Sequence, residues 1–171
     1  MTPEPPILSL VIPARNEAAI LEDTLRVVLP ALRELEPRSE VIVGDSGSTD
    51  GTGDRVRELG LPGVRVVRAD LPGKGRILSR ALAEARGGIV GFLDADLEIP
   101  VGTLAPLLAR VRQGADAAVA AKTPETDRER PRLRRFVSRT YNAVVGLLFG
   151  SRLPDHQAGC KLFRADALAP V

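Results

Sequence analysis

Short apolar runs alternate along the chain with segments whose apolar residues recur at helical spacing. Residues 7–12 form an apolar, β-branched run that ends at Pro13, a pattern typical of a buried strand. Between Ile20 and Leu35, apolar residues recur every three or four positions, which predicts an amphipathic helix with a kink at Pro30. Further strands are predicted over residues 41–43, 64–67 and 89–93, and further helices over residues 55–59 and 77–85.

This alternation predicts an α/β fold with a Rossmann-like, mostly parallel sheet and helices on both faces. In such sheets, ligands bind beyond the carboxyl ends of the strands. The predicted first, second and fourth strands are followed by polar residues at positions 13–17, 45–48 and 94–96. The sequence therefore predicts a binding site along one edge of the sheet, where these three segments meet.

Two carboxylates, Asp94 and Asp96, directly follow the predicted fourth strand. In an extended chain, residues i and i+2 point to the same side, so both side chains would face one ligand. Hard oxygen ligands suit Mg²⁺ or Mn²⁺, which would in turn bind the phosphates of a substrate. For an Asp-x-Asp pattern taken alone, a polar loop with a helix-capping Asp is an equally good interpretation.

Two loops that contain glycine are candidates for nucleotide contact. Residues 45–52 combine short polar side chains with glycines, which would allow hydrogen bonds to a nucleoside and a close backbone approach. The alternative for Thr49 and Asp50, which we favour, is a turn in which one of them is the N-cap of a helix. Lys74 lies between two glycines and would either meet a diphosphate or lie in an exposed turn. Neither a P-loop nor a dinucleotide-binding glycine fingerprint is present in the sequence.

The composition is that of a soluble globular domain. The 171 residues suffice for one α/β domain, and 44 % of them are hydrophobic. A formal net charge of +2 is smaller than expected for a dedicated nucleic-acid binder, so no nucleic-acid partner is predicted. Cys160 and His156 are the only cysteine and histidine, which excludes an internal disulfide and a Cys/His zinc cluster. Neither a signal peptide nor an apolar segment long enough to span a bilayer is recognisable.

The stretch over residues 132–150 combines a basic start with an apolar remainder. Arg134, Arg135 and Arg139 precede a run rich in Val, Leu and Phe. A helix of this kind suits contact with membrane headgroups or a lipid phosphate, whereas the alternative is a core helix with a solvated arginine end. Arg134 and Ser138 are one helical turn apart and could bind the same phosphate.

Four motifs occur in order along the chain. They are LVIPARNE at residues 10–17, VIVGDSGSTDGT at 41–52, DADLE at 94–98 and DHQAGCKLFR at 155–164. Together they resemble the motifs of the family 2 glycosyltransferases, which have the GT-A fold. The last motif resembles one typical of the polyprenyl-phosphate glycosyltransferases, which include dolichyl-phosphate mannose synthases and dolichyl-phosphate glucosyltransferases. Four motifs in the order and spacing of the family are more specific than any one of them.

The resemblance implies roles for individual positions. Catalytic roles would fall to Asp96, Asp155, Gln157 and Lys161. The nucleotide-sugar donor would be bound by Pro13, Ala14, Arg15, Glu17, Asp45, Lys74, Asp94, Ala95 and Asp96. The acceptor phosphate would be bound by Arg134, Ser138 and Lys161, and a Mg²⁺ or Mn²⁺ cofactor by Asp94, Asp96 and Glu98. Residues 155–161 are predicted to be a loop that enters a strand, and an ordinary surface lysine is the alternative for Lys161.

Three features depart from the pattern of the family. Ser46 stands where many members have a second Asp, so recognition of the base would differ. Glu98 stands where polyprenyl-phosphate enzymes often have Gln, and it would add a charge to the metal site. Catalytic domains of the family usually continue beyond the last motif, so the resemblance implies that residues 1–171 form a single catalytic domain that lacks its C-terminal portion.

The resulting hypothesis is inverting transfer of a hexose from a UDP- or GDP-sugar to a polyprenyl phosphate at the cytoplasmic face of a membrane. A phosphate monoester has its second pKa near ~6, so this acceptor is an anionic nucleophile at neutral pH and needs no strong general base. One alternative is a family 2 transferase that acts on a hydroxyl of a glycan or small molecule, with Asp155 as the base. The other is a non-catalytic module that binds nucleotide sugars.

Overall fold

The computed structural model describes residues 4–120 and 158–168 of the chain. Within them the strands are β1 (Leu8–Ala14), β2 (Ser39–Ser46), β3 (Val64–Ala69), β4 (Ile89–Leu93), β5 (Ala117–Val119) and β6 (Cys160–Arg164). The helices are α1 (Ala18–Leu35), α2 (Thr52–Glu58), α3 (Lys74–Ala83) and α4 (Leu104–Arg112), with 3₁₀ turns at Val101–Thr103 and Ala165–Ala167. Strands and helices alternate from β1 to β5, as the hydrophobic pattern predicts for the first four strands.

The described strands form one sheet in the order β3-β2-β1-β4-β6-β5. β1 pairs in parallel with β2 and with β4, and β2 pairs in parallel with β3. β6 runs antiparallel to both β4 and β5. The strand order therefore reverses beside β1, where β2 lies on one side and β4 on the other. In open α/β sheets, ligands bind at such a switch point.

Side chains of β1 alternate between the two faces of the sheet, as in any strand. Leu10 and Ile12 belong to the larger core, which also contains the apolar sides of α1, α2 and α4. Val11 belongs to a smaller core on the other face, together with Ile77 and Ala81 of α3. The predicted α/β fold, with a mostly parallel sheet and helices on both faces, is confirmed.

The helices begin and end at positions that differ in part from those predicted. α1 continues as one helix through Pro30, which is exposed. α2 has Gly51 as its N-cap, with a left-handed φ of 80°, so the predicted cap at Thr49 or Asp50 is wrong. Asp50, the residue before the N-cap, still binds the start of α2, because its Oδ1 accepts a hydrogen bond from the Thr52 N–H at 3.0 Å. Neither α4 nor β5 was predicted.

Two predictions concern membrane contact and the acceptor. In the part of the chain that the structure describes, none of the helices combines the length and the apolar character needed to cross a bilayer. The stretch over residues 132–150, with Arg134 and Ser138, lies outside the described residues, and so do Asp155 and Gln157.

Candidate functional site

A pocket of about 370 Å³ opens at the carboxyl edge of the sheet. Its walls come from the ends of β1 and β2, from the segments that follow β1 and β4, and from the start of α3. The lining residues are Pro13, Ala14, Arg15, Glu17, Ser46, Gly73, Lys74, Ile77, Asp94, Ala95 and Asp96. The pocket thus contains every residue predicted to bind the donor except Asp45. Ser46 belongs to the loop that is predicted to contact a nucleoside, whereas Gly73 and Ile77 are not among the predicted site residues.

Asn16 joins the loop after β1 to the loop after β2. Its φ of 56° lies in the left-handed region, and its side-chain Oδ1 accepts a hydrogen bond from the Thr49 N–H at 2.9 Å. The N–H of Asn16 donates to Ser48 Oγ, and the next N–H, that of Glu17, donates to Thr52 Oγ1, both at 3.0 Å. Asn is one of the few residues besides glycine that readily adopts this conformation. Asn16 therefore fixes one wall of the pocket relative to the next.

Asp45 lies beneath the loop after β2 and not in the pocket wall. It is only 1 % exposed, and its Oδ1 accepts a hydrogen bond from the Ser48 N–H at 3.0 Å. Its Oδ2 is 3.6 Å from Arg68 Nε, and a Cβ at Gly53 would come within 2.6 Å of the same oxygen. The structure places Asp45 as a support of this loop, whereas the predicted contact with base or ribose would need an exposed carboxylate.

Ser46, where the sequence departs from the pattern of the resembled family, lies in the pocket wall. Its Oγ accepts a hydrogen bond from the Gly73 N–H at 2.8 Å. α3 begins at the next residue, Lys74. Ser46 thereby holds the start of α3, and with it Lys74, against the end of β2.

Lys74 and Asp94 form an ion pair within the pocket. The Lys74 Nζ is 2.6 Å from Asp94 Oδ1 and 2.7 Å from Oδ2. The Lys74 side chain is 53 % exposed, so this pair adds little to folding stability. The ammonium thus contacts both oxygens of the Asp94 carboxylate, and Oδ1 is buried. A carboxylate that attracts an ammonium group in this pocket has the charge and the oxygen ligands that a divalent cation requires.

Strand β6 brings a second backbone against Asp94. The Asp94 N–H donates a hydrogen bond to the Gly159 carbonyl at 2.8 Å, and a Cβ at Gly159 would lie 2.6 Å from Asp94 Oδ2. Only glycine at this position leaves the carboxylate where it is. The next residue, Cys160, is buried, and this burial together with the charge of Asp94 raises the pKa of its thiol to about 12. Cys160 is therefore a protonated packing residue at neutral pH, because the thiolate is the reactive form of cysteine.

The turn after Asp94 carries the other predicted metal ligands. Asp96 is exposed, and its Oδ1 accepts a hydrogen bond from the Glu98 N–H at 3.1 Å. Across residues 4–120 and 158–168, no three Asp, Glu, His or Cys side chains converge in a group that could hold a metal ion. The predicted trio of Asp94, Asp96 and Glu98 is therefore not brought together as one group.

Asp94 and Asp96 by themselves do fit a metal ion that is shared with a ligand. Mg²⁺ is usually bound by one or two carboxylates together with phosphate oxygens of the substrate and water. Both residues line the pocket, so their carboxylates face one ligand site. The metal assignment rests on these two carboxylates.

Phe92 lies between two lysines, at the carboxyl end of β4. The Nζ of Lys74 is 5.8 Å from the centroid of its ring, and the Nζ of Lys161 is 5.9 Å from it. An ammonium group within about 6 Å of an aromatic face is attracted by the quadrupole of the ring. Lys161 pairs with Phe92 in the register of β4 and β6 and is half-buried, although it does not line the pocket. Phe92 was not predicted, because in the sequence it is one apolar residue of a buried strand.

Comparison with known proteins extends over nearly the whole chain. The sequence profile of glycosyl transferase family 2 matches residues 9–170. The chain belongs to this family. Two curated relatives illustrate the similarity. The glycosyltransferase AglD of Haloferax volcanii is 38 % identical over 167 residues, which cover 94 % of this chain and 27 % of AglD. The undecaprenyl-phosphate 4-deoxy-4-formamido-L-arabinose transferase of Edwardsiella ictaluri is 28 % identical over 165 residues, which cover 94 % of this chain and 50 % of that protein.

A solved structure confirms the GT-A fold. Glucosyl-3-phosphoglycerate synthase of Mycobacterium tuberculosis, in complex with Mn²⁺, UDP-glucose and phosphoglyceric acid, superposes with a TM-score of 0.71 and 29 % identity. The match covers 94 % of this chain and 57 % of the synthase. The family 2 domain described here thus spans between about a quarter and about three fifths of the proteins it resembles.

Proposed function

We propose that this chain is the catalytic domain of a metal-dependent glycosyltransferase that transfers a hexose, with inversion, from a UDP- or GDP-sugar to a polyprenyl phosphate. The observation that carries the proposal is the ion pair of Lys74 and Asp94 in a pocket at the switch point of a family 2 fold. A metal–diphosphate complex needs a carboxylate to hold the metal and a cation to stabilise the charge of the phosphates. Asp94 and Lys74 provide these two groups in one pocket. The Mn²⁺ and UDP-glucose in the similar mycobacterial synthase support this assignment.

The donor is proposed to lie across the segments after β1 and β4, with its diphosphate beside Lys74. Asn16 ties the loop after β1 to the loop after β2 through Thr49 and Ser48. Ser46 ties the end of β2 to the start of α3 through Gly73. Such ties keep the site in place before the ligand arrives, which reduces the entropy lost on binding. Pro13, Ala14, Arg15 and Glu17 are proposed to contact the nucleoside.

A divalent cation, when bound, would stabilise the negative charge that develops on the departing nucleoside diphosphate. Asp94 and Asp96 would hold it. Lys74 adds a second positive charge in the same pocket, where it would act on the same diphosphate. This arrangement supports Mg²⁺ and Mn²⁺ alike.

The acceptor is proposed to be a phosphate and not a hydroxyl. The relative from Edwardsiella ictaluri is named for transfer to undecaprenyl phosphate, and Lys161 provides a cation on the strand next to β4. Asp155 and Gln157 precede this strand in the sequence and are proposed to shape the region of the sugar and the acceptor. A phosphate with its second pKa near ~6 attacks as an anion, so no side chain has to remove a proton.

A polyprenyl acceptor places the reaction at a membrane, and we propose its cytoplasmic face. The sequence over residues 132–150 supports this, because the basic side chains of Arg134, Arg135 and Arg139 precede an apolar run. Arg134 and Ser138 are proposed to bind the acceptor phosphate together with Lys161.

A second candidate is transfer to a hydroxyl group. It is favoured by the similarity to the mycobacterial synthase, whose complex contains phosphoglyceric acid. Transfer to a hydroxyl would require a general base, for which Asp155 is the candidate. The third candidate, a non-catalytic module, would bind the donor without turnover.

A panel of UDP- and GDP-hexoses tests these candidates, with Mn²⁺ present and with undecaprenyl phosphate, phosphoglyceric acid or no acceptor. The readout is released nucleoside diphosphate. We expect release that depends on both Mn²⁺ and undecaprenyl phosphate. Transfer to phosphoglyceric acid, with undecaprenyl phosphate inert, would favour the hydroxyl acceptor, and donor binding without any release would favour the module.

The matched variants are Asp94→Asn, Asp96→Asn and, as a control, Asp23→Asn. Asp23 is an exposed carboxylate on α1, away from the donor pocket. We expect the first two variants to lose Mn²⁺-dependent donor binding while they remain folded, and the control to keep it. Unchanged donor affinity in folded Asp94→Asn would overturn the metal assignment.

A further inference from the structure

The hydroxyl of Thr24 holds the peptide that separates the two pocket carboxylates. Thr24 lies on α1, and its Oγ1 donates a hydrogen bond to the Ala95 carbonyl at 2.7 Å. Thr24 is 5 % exposed and Ala95 4 %, so water does not compete for this bond. The two residues are 71 positions apart in the sequence, and the contact joins α1 directly to the turn after β4.

A threonine on a helix ordinarily donates to the carbonyl one turn earlier, and Thr24 has this choice as well. Its Oγ1 is 3.1 Å from the Ile20 carbonyl, against 2.7 Å from the Ala95 carbonyl. A hydroxyl has a single hydrogen, and the shorter distance favours Ala95 as its main acceptor. The Thr24 hydroxyl therefore connects α1 to the turn after β4 and is not used only within the helix.

The turn that carries Asp94 and Asp96 needs such support. Leu97 has a φ of 51°, which is costly for a residue with a branched side chain and persists only where surrounding contacts impose it. On one side the turn is held by the bond from the Asp94 N–H to the Gly159 carbonyl. On the other side it is held by Thr24.

We propose that Thr24 is a positioning residue, which sets the relative placement of Asp94 and Asp96 and thereby the affinity of the pocket for a metal–nucleotide complex. The inference rests on the proposed function, because it assigns Thr24 to the same metal site. Thr24 does not line the pocket and acts only through the Ala95 peptide.

The test compares Thr24→Val with Thr24→Ser. Val keeps the branched shape and removes the hydroxyl, and Ser keeps the hydroxyl. UDP and GDP are titrated by calorimetry with Mn²⁺ and with EDTA, and the readout is the ratio of the two affinities. We expect Thr24→Val to lower this ratio about tenfold, because one buried hydrogen bond is lost. Thr24→Ser keeps the hydroxyl, so its ratio should equal that of the wild type. If Thr24→Val does not fold, Thr24→Ala replaces it.

Ser9→Ala is the matched control. Ser9 is also a fully buried hydroxyl, but its Oγ bonds Glu40 Oε1 at 2.7 Å, in the network with the N–H groups of Arg86 and Gly87. We expect Ser9→Ala to lower the stability of the fold but to leave the pocket unchanged, because Ser9 does not line it. Its ratio of nucleotide affinities with Mn²⁺ and with EDTA should therefore equal that of the wild type. If folded Thr24→Val has the same affinity ratio as the wild type, the inference about Thr24 is wrong, while the metal site itself is not contradicted. A wild type without any Mn²⁺ effect overturns the metal site, and the role of Thr24 with it.

Discussion

The Nζ of Lys74 lies 2.6 Å from Asp94 Oδ1, so the cation of the pocket rests on the carboxylate that is proposed to hold a metal ion. A divalent cation at this carboxylate would lie close to the Lys74 ammonium, and the repulsion of the two positive charges would weaken the ion pair. Arrival of a metal–nucleotide complex would therefore move Lys74 from Asp94 to the diphosphate.

Replacement of Lys74 tests this arrangement. Lys74→Ala should weaken UDP or GDP binding in the presence of Mn²⁺ about tenfold, because a charge-assisted contact with the diphosphate is lost. The melting temperature should change little, since the Lys74 side chain is 53 % exposed. Arg76→Ala is the control, an exposed cation on the same helix that does not line the pocket. Equal affinities in the two variants would contradict a role of Lys74 at the diphosphate.

Replacement of Gly159 tests the geometry around Asp94. A Cβ at Gly159 would lie 2.6 Å from Asp94 Oδ2, at the movable end of a side chain, so the carboxylate can yield while the backbone stays. Gly159→Ala should therefore remain folded and lose Mn²⁺-dependent nucleotide affinity by about tenfold. Gly102→Ala, where a Cβ would have nothing within 4 Å, should match the wild type in calorimetry. A folded Gly159→Ala variant with the Mn²⁺-dependent nucleotide affinity of the wild type would show that the position of this carboxylate is not critical.

Replacement of Lys161 distinguishes the acceptor classes. Lys161→Ala should slow transfer to polyprenyl phosphate tenfold or more, because a charge-assisted contact contributes about 1.5–3 kcal/mol. Metal-dependent donor affinity should change much less, since Lys161 does not line the donor pocket. The measurement is transfer at saturating donor with varied acceptor. An equal loss in donor affinity would assign Lys161 to the diphosphate instead.

Glu40 should make stability depend on acid pH. Burial opposes its ionisation, but hydrogen bonds from Arg65, Ser9 and the Arg86 N–H, with the charge of Arg65, lower the pKa of its carboxyl below 4.5. A folded-state pKa below the unfolded one means that the stabilisation is complete above the unfolded pKa and is lost as pH falls through the folded pKa. Glu40→Gln should cost about 1–3 kcal/mol in urea unfolding at pH 7, and the deficit should shrink at acid pH. A deficit that is constant from neutral to acid pH would argue against the ionised pair.

Periodicity and motifs predicted the parallel half of the fold and most of the pocket. Strands β1 to β4 have apolar runs that are recognisable in the sequence, and polar motifs follow β1, β2 and β4. The periodicity of the sequence does indicate α4, because Leu104, Leu107, Leu108 and Val111 recur at helical spacing. Local pattern does not reveal β5, whose three residues are two alanines and a valine. Short elements depend on pairing with distant strands, and such pairing is not written in local periodicity.

Contacts between distant residues explain what was missed in the site. Asp45 stands in a motif that would suit a ligand contact, yet the packing of Gly53 and Arg68 against it turns it into a support of the loop. Phe92 and Thr24 belong to no motif, because their contacts with Lys161 and with the Ala95 carbonyl depend on how β6 and the turn after β4 pack. Such roles depend on tertiary geometry and have no local sequence pattern.

The antiparallel direction of β6 has a consequence for where the chain returns to the sheet. The Ala120 N–H after β5 donates a hydrogen bond to the Cys160 carbonyl, at the edge where β6 begins. At the same edge, the Gly159 carbonyl accepts a hydrogen bond from the Asp94 N–H. The described residues on both sides of positions 121–157 therefore lie at the edge of the sheet that carries Asp94. A change in length between them would leave the pairing of β1, β2 and β4 as it is.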